Sequence, residues 1–303
     1  MKLSILTATY NRANYLQKLY ESIVDNLIDE MDIEWLIMND GSSDNTNEVI
    51  EAIELKNNEL YPSNHFEIKF FTQQNQGKMS AINNLMQYVT GELVMDCDSD
   101  DTFVNNAFRK IYEKKDILLS DRSLYGLIFL KNESSNKLSG NKFEKENEKT
   151  TMFDMYFKQG ITGEKIIVFN TDIRKKYKHE LIDDEKFITE ARMYHKMDEN
   201  YKVKCFNEVL VQGEYLDTGY THNIIETFKK SPKGYFEYFK EILQKNMTNV
   251  KWSKRLYALK HLILFKELCG YKRVRINNIS NQILYYILLI PGKIKTKITI
   301  KDW

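Results

Sequence analysis

Cysteine is scarce. Cys97, Cys205 and Cys269 are the only three in 303 residues, far apart and with no C-x-x-C spacing. That excludes a disulfide framework and a thiolate zinc site, and it fits a reducing compartment. Long apolar runs are also missing. The longest C-terminal stretch, Ile283-Leu284-Tyr285-Tyr286-Ile287-Leu288-Leu289-Ile290, stops at Pro291. A bilayer crossing takes about 20 residues, so this segment can at most lie at an interface. The N-terminus is apolar only from Met1 to Leu6, before Thr7 and Asn11, which predicts a first strand and not a signal peptide. There is no internal repeat and no nucleic-acid-binding module.

What remains is a globular composition, 42% hydrophobic and 29% charged. The length suits one sizeable core with an appendage, or two small domains. The net charge of +1 conceals an asymmetry. Residues 251–303 hold 12 Lys/Arg against Glu267 and Asp302, a balance of +10 that leaves −9 for residues 1–250. A basic, aromatic-rich tail on an acidic body calls for an anionic partner, a membrane ahead of nucleic acid. The expectation is a cytoplasmic protein with peripheral contact at the inner face of the plasma membrane through 251–303.

The densest chemistry is Asp96-Cys97-Asp98-Ser99-Asp100-Asp101, directly after the apolar run Leu93-Val94-Met95. Four carboxylates in six positions repel one another, and a cation relieves them. Hard oxygen donors imply Mg²⁺ or Mn²⁺, ions that keep positions open for phosphate. A metal–diphosphate site with a nucleotide-activated substrate follows as the first expectation.

The hydrophobic pattern predicts strands over Leu3–Ala8, Ile33–Met38, Phe66–Phe71 and Glu92–Met95. Helices are predicted over Tyr15–Val24, through Val49, Ile50 and Ile53, and from Gly77 through Val89. Alternation of this kind predicts an α/β fold, a largely parallel central sheet flanked by helices with right-handed crossovers. Ligands in such sheets sit beyond the carboxyl ends of the strands. The loops Thr9–Arg12, Asn39–Asp44 and Asp96–Asp101 would then share one rim. Further on, Asn132–Lys149 reads as an irregular excursion, Ile166–Phe169 and Lys204–Val211 as strands, and Glu185–Met197 as a helix. From Tyr235 onward the pattern is helical. The domain reading is 1–225 catalytic and 226–303 a helical, basic C-terminal region.

Several motifs then coincide. Thr9-Tyr10-Asn11-Arg12 follows strand one, and Asn39-Asp40-Gly41-Ser42-Ser43-Asp44-Asn45-Thr46 follows strand two. Asn75-Gln76-Gly77-Lys78 leads to Ala81-Ile82-Asn83, and Gly91-Glu92 introduces Asp98-Ser99-Asp100-Asp101. As a set these closely resemble the family 2 glycosyltransferases, inverting enzymes with the GT-A (Rossmann-like) fold, among them bacterial surface-polysaccharide enzymes. The similarity is specific over about residues 1–105, weaker over 160–225 and vague beyond.

The resemblance implies roles. Thr9, Tyr10 and Arg12 would line the nucleobase pocket of a UDP-sugar, with Asp40 accepting from the uracil N3–H that cytosine lacks. Gly77 would let the backbone approach the nucleotide, Lys78 would offer charge to phosphate, and Asn83 would hold the loop or the donor. Many members carry Arg where this chain has Ile82, which shifts the cationic burden to Lys78 and Arg12. Asp98 and Asp100 would be the metal-binding D-x-D pair, Asp98 also near the ribose, and His222, in a loop over the diphosphate, a third ligand. Glu190 sits where the general base falls, but Ala191 replaces the usual following Asp, so Asp184 and Glu185 remain rivals. Gly163-Glu164-Lys165 resembles a turn near acceptor and sugar. The implied reaction moves a hexose or N-acetylhexosamine from a UDP-sugar to a saccharide or lipid-linked saccharide. Two other classes differ in their expected signals. A nucleotidyltransferase would usually grip its triphosphate with a glycine-rich loop after strand one, and Thr9–Arg12 has no glycine. A non-catalytic nucleotide-sugar-binding protein would bind UDP without turnover.

Overall fold

The computed structural model describes residues 1–61, 65–133, 136–213 and 224–301, the last eleven as backbone only. Two compact units emerge. The first comprises Met1–Met152, Ile161–Lys178 and His195–Tyr215, and the second Phe153–Gly160, His179–Tyr194 and Leu216–Trp303.

The first unit opens as the hydrophobic pattern requires: β1 (Lys2–Thr9), α1 (Ala13–Val24), β2 (Asp32–Asn39), α2 (Thr46–Leu60), β3 (Phe66–Thr72), α3 (Lys78–Leu85) and β4 (Leu93–Asp96). These four strands are parallel, in the order β3-β2-β1-β4. Near-continuous burial along β1 and β2 suits strands covered on both faces. The chain continues through β5 (Asp101–Phe103), α4 (Ala107–Ser120), β6 (Leu124–Asn132), β7 (Lys149–Thr150), β8 (Lys165–Asn170) and α5 (Thr171–Arg174). Next come α6 (Ala191–Met197), of which the residues through Tyr194 belong to the second unit, and β9 (Lys202–Gly213). Here the sheet turns mixed. β8 runs antiparallel to both β4 and β6, β9 is parallel to β6, and β5 and β7 pair antiparallel with β9. One core spans the unit, with Leu16, Leu19, Tyr20 and Ile23 of α1 packed with Ile5, Ile33, Trp35, Ile68, Met95 and Phe129 of the sheet. Trp35 donates to the Thr7 hydroxyl (2.9 Å), which donates to the Cys97 carbonyl (3.0 Å). The acidic turn is thereby fastened to the core.

At the opposite end of the strands lies Glu34, fully buried on β2. Its carboxylate accepts from the Ser4 hydroxyl, the Thr90 amide (2.6 Å) and hydroxyl (2.7 Å), and the Gly91 amide (3.2 Å). Burial pushes the carboxyl up, but these hydrogen bonds outweigh it and hold it below the ordinary glutamate range. A group depressed in the folded state contributes stability above its unfolded value, and that stability is lost as pH falls through the folded one. Glu34→Gln, which turns an amide group toward these donors, should lower unfolding free energy by about 2–3 kcal/mol at neutral pH. The deficit should shrink as pH falls through the folded pKa. Urea unfolding of both proteins across pH 3–7 measures this, and an unchanged midpoint at pH 7 contradicts it.

The second unit is helical: α7 (Ile224–Lys230), α8 (Pro232–Gln244), α9 (Trp252–Leu268) and α10 (Ile279–Lys301). Tyr235, Phe236, Phe239, Ile242 and Leu243 of α8 pack with Ala258, Leu259, Leu262, Ile263 and Phe265 of α9 and with Tyr285 of α10. The helix expected over Glu185–Met197 begins only at Ala191. Glu185 has a competing use: its carboxylate accepts from the Lys233 and Gly234 amides, both at 2.7 Å, and so caps α8. Asp183, in left-handed backbone, ion-pairs with Lys233.

Candidate active site

The three polar loops do meet at the carboxyl ends of β1, β2 and β4. Asn11 adopts left-handed backbone at φ 52°. Its side chain accepts from the Ser43 amide (2.8 Å), and its own amide donates to the Ser42 hydroxyl (2.9 Å). Asp44 accepts from the Ala13 and Thr46 amides. These bonds lace the first and second loops together.

Asp40 is buried, and its carboxylate organises the segment before α3. One oxygen accepts from the Gln73 side-chain amide and the Gln76 backbone amide, the other from the Gly77 amide, all at 2.8 Å. Asn84 in turn donates to Gln73 (2.7 Å). Gly77 has φ 93°, a conformation costly for a side chain, and opens α3. Its amide therefore points at Asp40 while Lys78 begins the helix. Tyr10 is 48% exposed at the rim. The Thr9 hydroxyl is buried without a hydrogen-bond partner. Asn83 lies half-buried on α3.

The acidic turn is the electrostatic centre. Asp98 pairs with Lys78 at 2.6 Å and Asp100 with Arg12 at 2.5 Å, their side chains 41% and 14% exposed. Burial pushes the Asp98 carboxyl up, but Lys78, with Lys131 and Arg12 behind it, holds it down at about 2. Asp101 faces inward. It bonds Lys131 at 2.8 Å, and Lys131 also bonds Glu164 at 2.9 Å. Burial pushes the Asp101 carboxyl up, and Asp98 and Asp100 add to that against the pull of Lys131. Burial works against the Lys131 charge too, yet Asp101, Asp98 and Glu164 around it keep it firmly protonated. Gly213 of β9 packs directly on this pair, where a Cβ would meet Lys131 Cε at 2.7 Å and Asp101 Oδ1 at 2.8 Å. Lys131→Met should therefore cost about 2–4 kcal/mol of stability by stranding a buried carboxylate. Adding Asp101→Asn should recover part of the loss in urea unfolding. An undiminished midpoint in the single variant overturns this.

The carboxylates expected near the acceptor fall in the second unit. Glu190 lies just ahead of α6 and accepts from the Tyr194 hydroxyl (3.1 Å). Asp184 is exposed, and Glu185 is committed to capping α8. In the first unit, Lys165 donates to the Ser139 (3.0 Å), Thr162 (2.7 Å) and Glu164 (3.2 Å) carbonyls, and burial lowers its ammonium to about 8. His222 and its loop Asp217–His222 lie outside the described residues.

Among the described residues no set of three or more His, Cys, Asp or Glu side chains is gathered around one point. Two ionisable carboxylates in one turn, each balanced by a cationic side chain, nevertheless fit a divalent ion. The donors are hard oxygens, and Asp98 is held in the anionic form a ligand needs. Lys131, Gln73 and Asn84 were missed in the sequence, and Glu164 was read there only as part of a turn near acceptor and sugar, not as a partner of Lys131. The signal for Lys131 was a lysine ending the apolar run Leu127-Ile128-Phe129-Leu130.

The chain resembles known proteins. A Mycoplasma genitalium protein named an uncharacterized glycosyltransferase is 38% identical over 120 residues, 38% of each chain. The Campylobacter jejuni GalNAc(5)-diNAcBac-PP-undecaprenol beta-1,3-glucosyltransferase is 29% identical over 151 residues, 48% of this chain and 45% of that one. The chain thus spans less than half the length of these curated relatives. Staphylococcus aureus TarS 1-349, solved in complex with UDP-GlcNAc, superposes with a TM-score of 0.59 at 16% identity, over 96% of this chain and 81% of that one. The fold is GT-A-like, a mixed α/β sheet flanked by helices. The profile of the family described as Glycosyl transferase family 2 matches residues 4–178, and the chain belongs to that family.

Proposed function

We propose that the protein transfers a hexose or N-acetylhexosamine from a UDP-sugar to a saccharide or lipid-linked saccharide acceptor, with inversion and with a divalent metal. One observation carries the reading: a single rim holds Asp98 and Asp100 on Lys78 and Arg12, beside the cradle that Asp40 builds from Gln73, Gln76 and Gly77. Thr9, Tyr10 and Arg12 line the base, Asp40 adds its remaining acceptor capacity toward the uracil N3–H, and Asn83 supports the loop. Asp98 and Asp100 would hold Mn²⁺ or Mg²⁺, with His222 as a further ligand. When bound, such an ion neutralises charge gathering on the departing diphosphate. Lys78 and Arg12 pair with the same phosphates.

Glu190 takes the proton from the acceptor hydroxyl. The hydroxyl oxygen forms its bond to the anomeric carbon as the bond to the diphosphate oxygen breaks, and UDP leaves with that electron pair. The acceptor class is supported by the undecaprenol-linked substrate in the name of the Campylobacter relative, and surface-polysaccharide assembly is the setting this suggests. Thermal-shift measurements with UDP, GDP and CDP, with Mn²⁺ or EDTA, test the donor side. UDP with Mn²⁺ should raise Tm most, because a ligand bound to the native state must stabilise it. An equal shift with UDP in excess EDTA overturns the metal assignment, and preference for another base overturns the role of Asp40.

A further inference from the structure

We infer that α10 docks the protein on the surface of an anionic lipid bilayer. The inference does not rest on the donor chemistry. A helix on a core usually has one apolar stripe, but the first half of α10 has two. Tyr285 and Asn281 are buried, and Leu284, Leu288 and Leu289 pack on the helical core. On the other side Ile279, Ile283, Tyr286, Ile287 and Ile290 are between 56 and 77% exposed. Their spacing of four, three, one and three places all five on one face. Single exposed apolar residues are ordinary, but a contiguous row marks an interaction surface.

Charge identifies the occupant. From Ile279 to Lys301 the sequence has no Asp or Glu, and Lys293, Lys295, Lys297 and Lys301 follow the apolar half. Beside the stripe lies an open groove of about 620 Å³, lined by Arg275, Asn277, Ile279, Ile283 and Tyr286 among others. A guanidinium against an apolar wall matches a phosphate headgroup with its acyl chain. Among the described residues no helix is long and apolar enough to cross a membrane, so α10 would lie in the interface plane. Pairing of this face with the same face of a second copy would bring like charge against like charge. A nucleic acid would leave the isoleucines in water.

The full chain is mixed with phosphatidylcholine vesicles and with vesicles about one-third phosphatidylglycerol, then sedimented. Binding should favour the anionic vesicles and weaken with salt. Ile283→Ser with Ile287→Ser should lower partitioning about tenfold or more while Tm and helix content hold, since both side chains are exposed. Independently, Lys293→Glu, Lys295→Glu and Lys297→Glu together should abolish the anionic preference. Equal partitioning of wild type and both variants overturns the inference, as does equal binding to neutral vesicles. So does self-association in light scattering that the isoleucine variant removes, for then the face is a dimer contact.

Discussion

Asp100→Ala is expected to lower sugar-transfer turnover by about three orders of magnitude or more. The carboxylate it removes is one of the two proposed to hold the ion, and it pairs with Arg12 at 2.5 Å. The fold should survive. Cys97 stays bonded to Leu6 and Thr7 through its backbone, and Asp101 stays on Lys131. Initial rates of UDP release alongside thermal melts separate the two effects. Near wild-type turnover refutes the metal assignment, and a collapse of Tm would mean that Asp100 is structural.

Glu190→Gln is expected to reduce kcat by about two to four orders of magnitude while the donor KM changes little, because a base acts on the acceptor hydroxyl and not on UDP. Its neighbours act as controls. Glu185→Gln should lower stability more than turnover, since its carboxylate caps α8. Tyr194→Phe, which removes the hydroxyl bonded to Glu190, should shift the pH profile more than its height. If Asp184→Asn reproduces the kcat loss in place of Glu190→Gln, Asp184 is the base.

Much of the parallel half of the sheet was legible in the sequence. Short apolar runs ending at Thr9, Asn39 and Asp96 read directly as strands, and the polar residues after them as one rim. The lacing of that rim was less so. Asn11 to Ser42 and Ser43, and Asp40 to Gln76 and Gly77, are contacts between loops 31 to 37 residues apart, and periodicity does not report such contacts. The β6 strand passed unread because a buried run such as Leu124–Leu130 lacks alternation. With it went Lys131, the partner of Asp101. The helix expected over Glu185–Met197 was shortened by tertiary competition for Glu185, which local propensity does not register.

The two ion pairs at the acidic turn imply a thermodynamic linkage. A cation bound by Asp98 and Asp100 alone would have to part Lys78 from Asp98 and Arg12 from Asp100, at the cost of both ion pairs. An incoming diphosphate alone meets those same groups already occupied. Arriving together, each ligand releases the partners the other needs. Manganese and UDP should consequently bind with positive cooperativity, and by reciprocity each should tighten the other by the same factor.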